Sequence, residues 1–234
     1  MSASGPSLKS CGLWTKRERK CLAILCRALL SLQQEADLPE AEVDLNRRLY
    51  FCLLSASREL YPNEVVAPSH ECNNQPDPND EARAMREQKR PDFQWIYLDR
   101  YESDPHRSSK QFIVECKRLG RSSRADWVLN SNYVEHGVSR FRDPHWGYAK
   151  RFPRGAMIGY WQSMDANQVL QDVNVEARKR LLPDLVLVGR WKSKNVNHLK
   201  HTFERSFDIS PFELRHLWID LRGLSNIQLP PPSP

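Results

Sequence analysis

The chain has 234 residues, 40% of them hydrophobic and 27% charged. That is enough for one sizeable α/β domain and short for two, and no uninterrupted apolar run approaches the roughly 20 residues that cross a bilayer. A formal charge of +6 and an isoelectric point near 9.1 favour approach to a polyanion without proving that one is bound.

A polar, Ser-rich segment, residues 1–13, is expected to form a flexible N-terminus. From Trp14 to Gln34 apolar residues recur at helical spacing, with Leu22, Leu25, Leu29 and Leu32 on one stripe, and this predicts a first helix. Asp37-Leu38-Pro39-Glu40 reads as the start of a second helix, because proline suits a first turn and early carboxylates complement the positive end of the helix dipole. Its stripe of Leu45, Leu49, Leu53, Ala56 and Leu60 carries it to about Leu60, and one turn back from the stripe stands Glu42, a carboxylate that needs a partner. Tyr61 to Asp80, with four prolines, reads as a loop, and Glu81 to Lys89 as a short helix ended by Pro91.

Two strands are expected next, Asp92 to Leu98 and Gln111 to Leu119, separated by a polar turn-rich stretch from Asp99 to Lys110. Asp126 to Phe141 reads as a helix on Trp127, Val134, Val138 and Phe141, followed by a buried strand, Arg154 to Trp161. A helix from Gln168 to Leu182, a strand from Leu185 to Val188 and a last apolar strand from Leu214 to Leu221 continue the alternation. Residues 14–229 therefore read as one domain with a helical N-terminal extension, and residues 230–234 as a Pro-rich tail. There is no internal repeat.

The six cysteines (Cys11, Cys21, Cys26, Cys52, Cys72 and Cys116) fall largely inside apolar patterns, where free cysteine behaves as a small core residue, and no Cys or His pair follows Cys21 and Cys26 at zinc-finger spacing. Reduced thiols and the absence of a leader-like segment point to the cytoplasm.

The informative constellation is Arg90-Pro91-Asp92, followed on the next strand by Glu115-Cys116-Lys117. Side chains alternate across a strand, so Glu115 and Lys117 project from one face, and an acid at the start of the neighbouring strand can reach the same point. Hard oxygen ligands of this kind suit Mg²⁺ or Mn²⁺, which can neutralise charge on a phosphodiester and lower the pKa of a water, while the amine orients that water.

Here the sequence resembles the PD-(D/E)xK nuclease superfamily, with Pro91-Asp92 matching one half-motif and Glu115-x-Lys117 the other. The resemblance covers about residues 40–162 and implies a restriction-endonuclease-like α/β fold, a mixed central sheet flanked by helices. It implies Asp92 and Glu115 as metal ligands, Lys117 as the residue that positions the nucleophilic water, and an additional acid from the preceding helix, for which Glu42 is the candidate and Glu40 the second choice. The activity implied is metal-dependent hydrolysis of nucleic acid, with DNA the expected substrate and defence against foreign DNA the role by analogy. Arg118, Arg121, Arg124 and Arg140 follow the metal strand and are candidate substrate contacts. A homodimer or a partner subunit would supply what one small nuclease core lacks.

Plainer readings compete. An aspartate after proline is often a turn residue and a strand Glu-x-Lys often a solvated pair; the apolar Ile113-Val114 approach and the basic run downstream weigh against both. Pro183-Asp184 is followed by no Glu-x-Lys, so Asp184 is read as structural, Gln162 as a satisfied strand-end amide, and neither His145 nor His216 sits at a catalytic spacing. Two other functions stay open: a catalytically inactive nucleic-acid-binding or scaffold protein, and an RNA-directed nuclease.

Overall fold

The computed structural model describes residues 8–76, 80–105, 108–121 and 128–224. Two N-terminal helices form an antiparallel pair, α1 (Leu8–Gln33) and α2 (Glu42–Leu60). The first begins at Leu8, inside the segment expected to be flexible, and buries Ile24, Leu25, Leu29 and Leu32 completely. The second begins later than its proline suggested: Leu38 is tied down in the turn before it, buried and donating its N–H to the Leu224 carbonyl, and helical geometry starts only after Ala41.

The remaining elements are β1 (Ser69–His70), α3 (Arg83–Arg86), β2 (Phe93–Leu98), β3 (Ser109–Leu119), α4 (Leu129–Tyr133), a π-helical turn (Val134–Val138), α5 (Ser139–Arg142), β4 (Arg154–Trp161), α6 (Ala166–Lys179), β5 (Val186–Leu187), β6 (Asn197–Phe203) and β7 (Phe212–Asp220). Among the described residues the strands make one seven-stranded mixed sheet in the order β1-β2-β3-β4-β7-β6-β5. The central strands β3, β4 and β7 run parallel; every other neighbour is antiparallel.

Helices cover both faces. On one, α1 and α2 pack on Phe112, Val114 and Cys116 of β3 and Ala156, Ile158 and Tyr160 of β4. On the other, α4 to α6 pack on the alternate residues Ile113, Leu119, Met157, Trp161 and Trp218. Burial on both sides explains why β3 and β4 read as nearly continuous apolar runs rather than alternating ones. No helix among the described residues is long and apolar enough to cross a membrane.

Several expectations are corrected. The loop from Tyr61 to Asp80 contains β1, which pairs with β2 through Ser69 and His70. The Glu81–Lys89 helix shrinks to the single turn of α3. The Asp126–Phe141 helix is described only from Leu129, is broken by the π turn, and extends to Arg142; Trp127 lies outside the described residues. The strand β6 went unread, although His198 and Lys200 alternate outward with buried Asn197, Leu199 and His201. Its buried face includes an asparagine and a histidine, so an apolar count passes over it. Cys21, Cys26, Cys52, Cys72 and Cys116 are all free thiols.

Candidate active site

The face of β3 that meets α4 carries Ile113, Glu115, Lys117 and Leu119 in succession. Its apolar ends are core, yet in the middle stand a fully buried carboxylate and a nearly buried amine (0% and 9% exposed). Burying such charges costs several kcal/mol each unless partners and chemistry offset it, so this stripe is where the fold departs from ordinary packing.

Three other elements bring charge to it. Asp92 stands where β2 begins after Pro91, and its Oδ2 accepts the Cys116 N–H at 2.6 Å, satisfying a donor that the ladder no longer reaches. Glu42, in the first turn of α2, accepts from Lys117 Nζ at 2.5 Å, and the amine also donates to the Cys116 carbonyl at 2.8 Å. Arg140 of α5 donates to Glu115 Oε2 at 2.7 Å, while Lys117 stands 4.0 Å from the same oxygen. The Arg140 guanidinium lies over the Trp146 ring, 4.2 Å from its centroid. Glu40, the second-choice acid, is exposed and contributes its backbone carbonyl, which takes hydrogen bonds from Gln162 (2.9 Å) and Arg118 (3.3 Å).

The electrostatics follow from burial. Desolvation, reinforced by the neighbouring Asp92 charge, pushes the Glu115 carboxyl up to about 8. Desolvation also raises Asp92, although Lys117 pulls it down. Burial alone would lower Lys117, but Asp92, Glu115 and Glu42 together hold its ammonium above the ordinary lysine range. Glu115 Oε1 is buried beside the Tyr148 hydroxyl, and burial together with the charge and side-chain hydrogen bond of Glu115 makes that hydroxyl harder to ionise.

A cavity of about 340 Å³ opens on this cluster, lined by Glu42, Lys117, Arg118, Leu129, Asn132, His136 and Arg140. Asn132, His136 and Arg140 are four residues apart. Positions so spaced drift around an α-helix of 3.6 residues per turn, and the wider π turn between Val134 and Val138 brings them back into line. Gly137 lets that turn approach the sheet: a methyl group there would run into Met157 Cε and stand 3.3 Å from Lys117 Cγ. Asn132 and His136 give no signal in the sequence, because nothing there announces a π turn, and neither do Tyr148 and Trp146.

Of the residues singled out from sequence, Glu42, Asp92, Glu115, Lys117 and Arg140 converge. Arg140, a candidate substrate contact, donates to Glu115. Arg118 rims the cavity, Arg121 is exposed nearby, and Arg124 lies outside the described residues. Asp184 pairs with Arg178 (2.8 and 2.5 Å), a structural role as expected. His216 is buried in hydrogen-bond contact with the Tyr133 hydroxyl (2.7 Å), away from the cavity.

The residues present fit a divalent cation in donor chemistry, since hard carboxylates from three elements converge. Among the described residues no three His, Cys, Asp or Glu side chains are grouped closely enough to hold an ion as they stand, with Lys117 and Arg140 placed among the carboxylates. Comparison with protein-family models, curated proteins and solved structures returned no match.

Proposed function

We propose that the chain is a metal-dependent nuclease that hydrolyses phosphodiester bonds of nucleic acid, DNA first among them. One observation carries the reading: a buried Glu-x-Lys pair interrupts an apolar strand at the point where Asp92 and Glu42 arrive from two other elements. The half-motifs on adjacent antiparallel strands, with an acid from the preceding helix, support a restriction-endonuclease-like assignment.

Asp92 and Glu115, with Glu42 beside them, would hold Mg²⁺ or Mn²⁺. When bound, such an ion supplies positive charge to the scissile phosphate and acidifies a water. Lys117 orients the attacking water and keeps its charge throughout, because three carboxylates surround it. Arg140, which holds Glu115 and also lines the cavity, would offer its guanidinium to a substrate phosphate there. Buried Leu129 and Tyr148, with the partly buried Trp146 ring against Arg140, limit the access of bulk water to the carboxylates.

One observation favours a catalytically inactive binding protein: Glu42 and Glu115 each already have a cation within hydrogen-bond distance. The deciding experiment incubates purified protein with duplex DNA, single-stranded DNA and RNA in Mg²⁺, Mn²⁺ or EDTA, beside Asp92→Ala and Glu115→Gln. Metal-dependent cleavage that disappears in both variants supports the nuclease and names its substrate. Binding without cleavage in every metal would replace it with the binding-protein reading.

A further inference from the structure

We propose that the loop between β5 and β6, which presents Arg190, Lys192 and Lys194, is a second contact surface for the phosphate backbone of the nucleic acid cut at Glu115 and Lys117; this rests on the nuclease reading above.

The loop is held at several points. Lys192 N–H donates to Asn197 Oδ1 at 2.7 Å, and Asn197 Nδ2 donates back to the Lys192 carbonyl at 2.9 Å, from a side chain only 2% exposed. Gln33 of α1 donates to the Ser193 carbonyl at 2.9 Å. Trp191 stacks on Trp218, with centroids 5.8 Å apart and planes 22° from parallel, and donates its indole N–H to Asn167 Oδ1. A buried asparagine, a tryptophan stack and a tether from α1 thus fix the loop's backbone. Its three long side chains, by contrast, are exposed cations with no acidic partner among the described residues. Neighbouring uncompensated cations on a fixed backbone repel one another, and a polyanion relieves that repulsion.

The loop also lies at the same end of the strands as the site, with Lys117, Gly159, Trp218 and Asn197 in register across β3, β4, β7 and β6. Arg118 and Gln162 meet at the Glu40 carbonyl, just before Glu42. Past the end of β4, Arg222 donates to the Met164 carbonyl at 3.0 Å and lies 3.8 Å over the Trp161 ring. Gln33 then spans the Asp220 carbonyl at the end of β7 (2.7 Å) and Ser193 in the loop. From β3 through β4 and β7 to β6 is three strand intervals, roughly 14 Å, or about four base pairs of duplex at ~3.4 Å rise per pair. A backbone entering the cavity therefore passes the loop within the same half-turn.

The test measures binding in EDTA, where nothing is cut, using fluorescently labelled duplex DNA, single-stranded DNA and RNA over a range of salt. It compares wild type, an Arg190→Gln/Lys192→Gln/Lys194→Gln variant, and a control with the same charge removed at Arg19, Arg58 and Arg100, which are exposed elsewhere. The loop variant is expected to keep the wild-type unfolding temperature and to bind about tenfold more weakly or worse. Its slope of log affinity against log salt should be shallower by ~0.9 per lost duplex phosphate contact, or ~0.7 for a single strand. The nucleic acid showing that loss is the one the loop holds. Equal weakening in the control, or unchanged affinity and slope in the loop variant while wild type cleaves in Mg²⁺, overturns the proposal and leaves the nuclease reading standing. A wild type that neither binds nor cuts any of the three removes both.

Discussion

Glu115 and Lys117 sit where Ile113 and Leu119 say an apolar side chain belongs, so their burial must be offset by partners. Lys117 has three carboxylates around it and keeps its proton, which makes it a donor and a charge rather than a base. Lys117→Ala is expected to lower the cleavage rate about a hundredfold or more while leaving substrate binding in EDTA nearly unchanged. Steady-state cleavage and anisotropy together check this, and a variant that cuts at wild-type speed would remove the lysine from the mechanism. Arg140 is a second test at this scale, because its bond to Glu115 competes with any cation the carboxylate binds. Arg140→Met should tighten Mg²⁺ binding by about tenfold, the worth of a charge-assisted hydrogen bond of ~1.5 kcal/mol, while slowing cleavage. Calorimetric titration of the metal reads it, and weaker Mg²⁺ binding would show that Arg140 assists rather than competes.

At the scale of elements, the site depends on how α2 and the α4–α5 segment are seated. Asn46, one turn beyond Glu42, is buried and accepts from the Tyr160 hydroxyl at 2.8 Å, so β4 fixes the position of the helix turn that delivers the carboxylate. Tyr160→Phe leaves the buried Asn46 side chain short of a partner and is expected to cost about 1–3 kcal/mol. Denaturant unfolding measures that cost, and a change below a few tenths of a kcal/mol would mean that Asn46 finds another partner. On the opposite face, Gly137→Ala forces Met157 aside and presses on the Lys117 stem. Overpacking of this kind destabilises by about 1–3 kcal/mol, which at this chain length lowers the unfolding temperature by roughly 2–4 °C per kcal/mol. Calorimetry would detect it, and cleavage should fall further than stability alone explains because Lys117 is displaced. A variant with wild-type melting and cleavage would show that the π turn yields without moving Lys117.

For the whole molecule, the two buried histidines under the sheet set an acid limit. The His201 and His216 rings lie with centroids 5.5 Å apart and planes tilted by 36°, and His216 Nε2 is buried without a hydrogen-bond partner. Burial lowers His201 to about 4, and burial followed by the His201 charge takes His216 well below its ordinary value. Both are therefore neutral in the fold, so the unfolded chain binds more protons below the ordinary histidine pKa of ~6.5. Their contribution is complete above that pH and is lost as pH falls toward 4, by up to about 3 kcal/mol for His201. His201→Leu should flatten the fall in unfolding temperature between pH 6.5 and 4, and an unchanged profile would assign acid sensitivity to other groups. The helices, the central strands and the acid-acid-lysine set were legible from sequence because each depends on local periodicity or on alternation along one strand. Glu42 was legible too, as the carboxylate ending an apolar stripe. The arginine on Glu115, the π turn that aligns Asn132, His136 and Arg140, and the strand β6 with its polar buried face were not. Each is decided by residues far apart in the chain: Gly137 against Met157 and Lys117, Arg140 against Glu115, Asn197 against Trp218 of β7. The sequence by itself determined which side chains carry charge and which faces are apolar, since those are properties of single residues and short spacings. Only the tertiary structure decided which charges meet, because burial and proximity arise when the sheet closes.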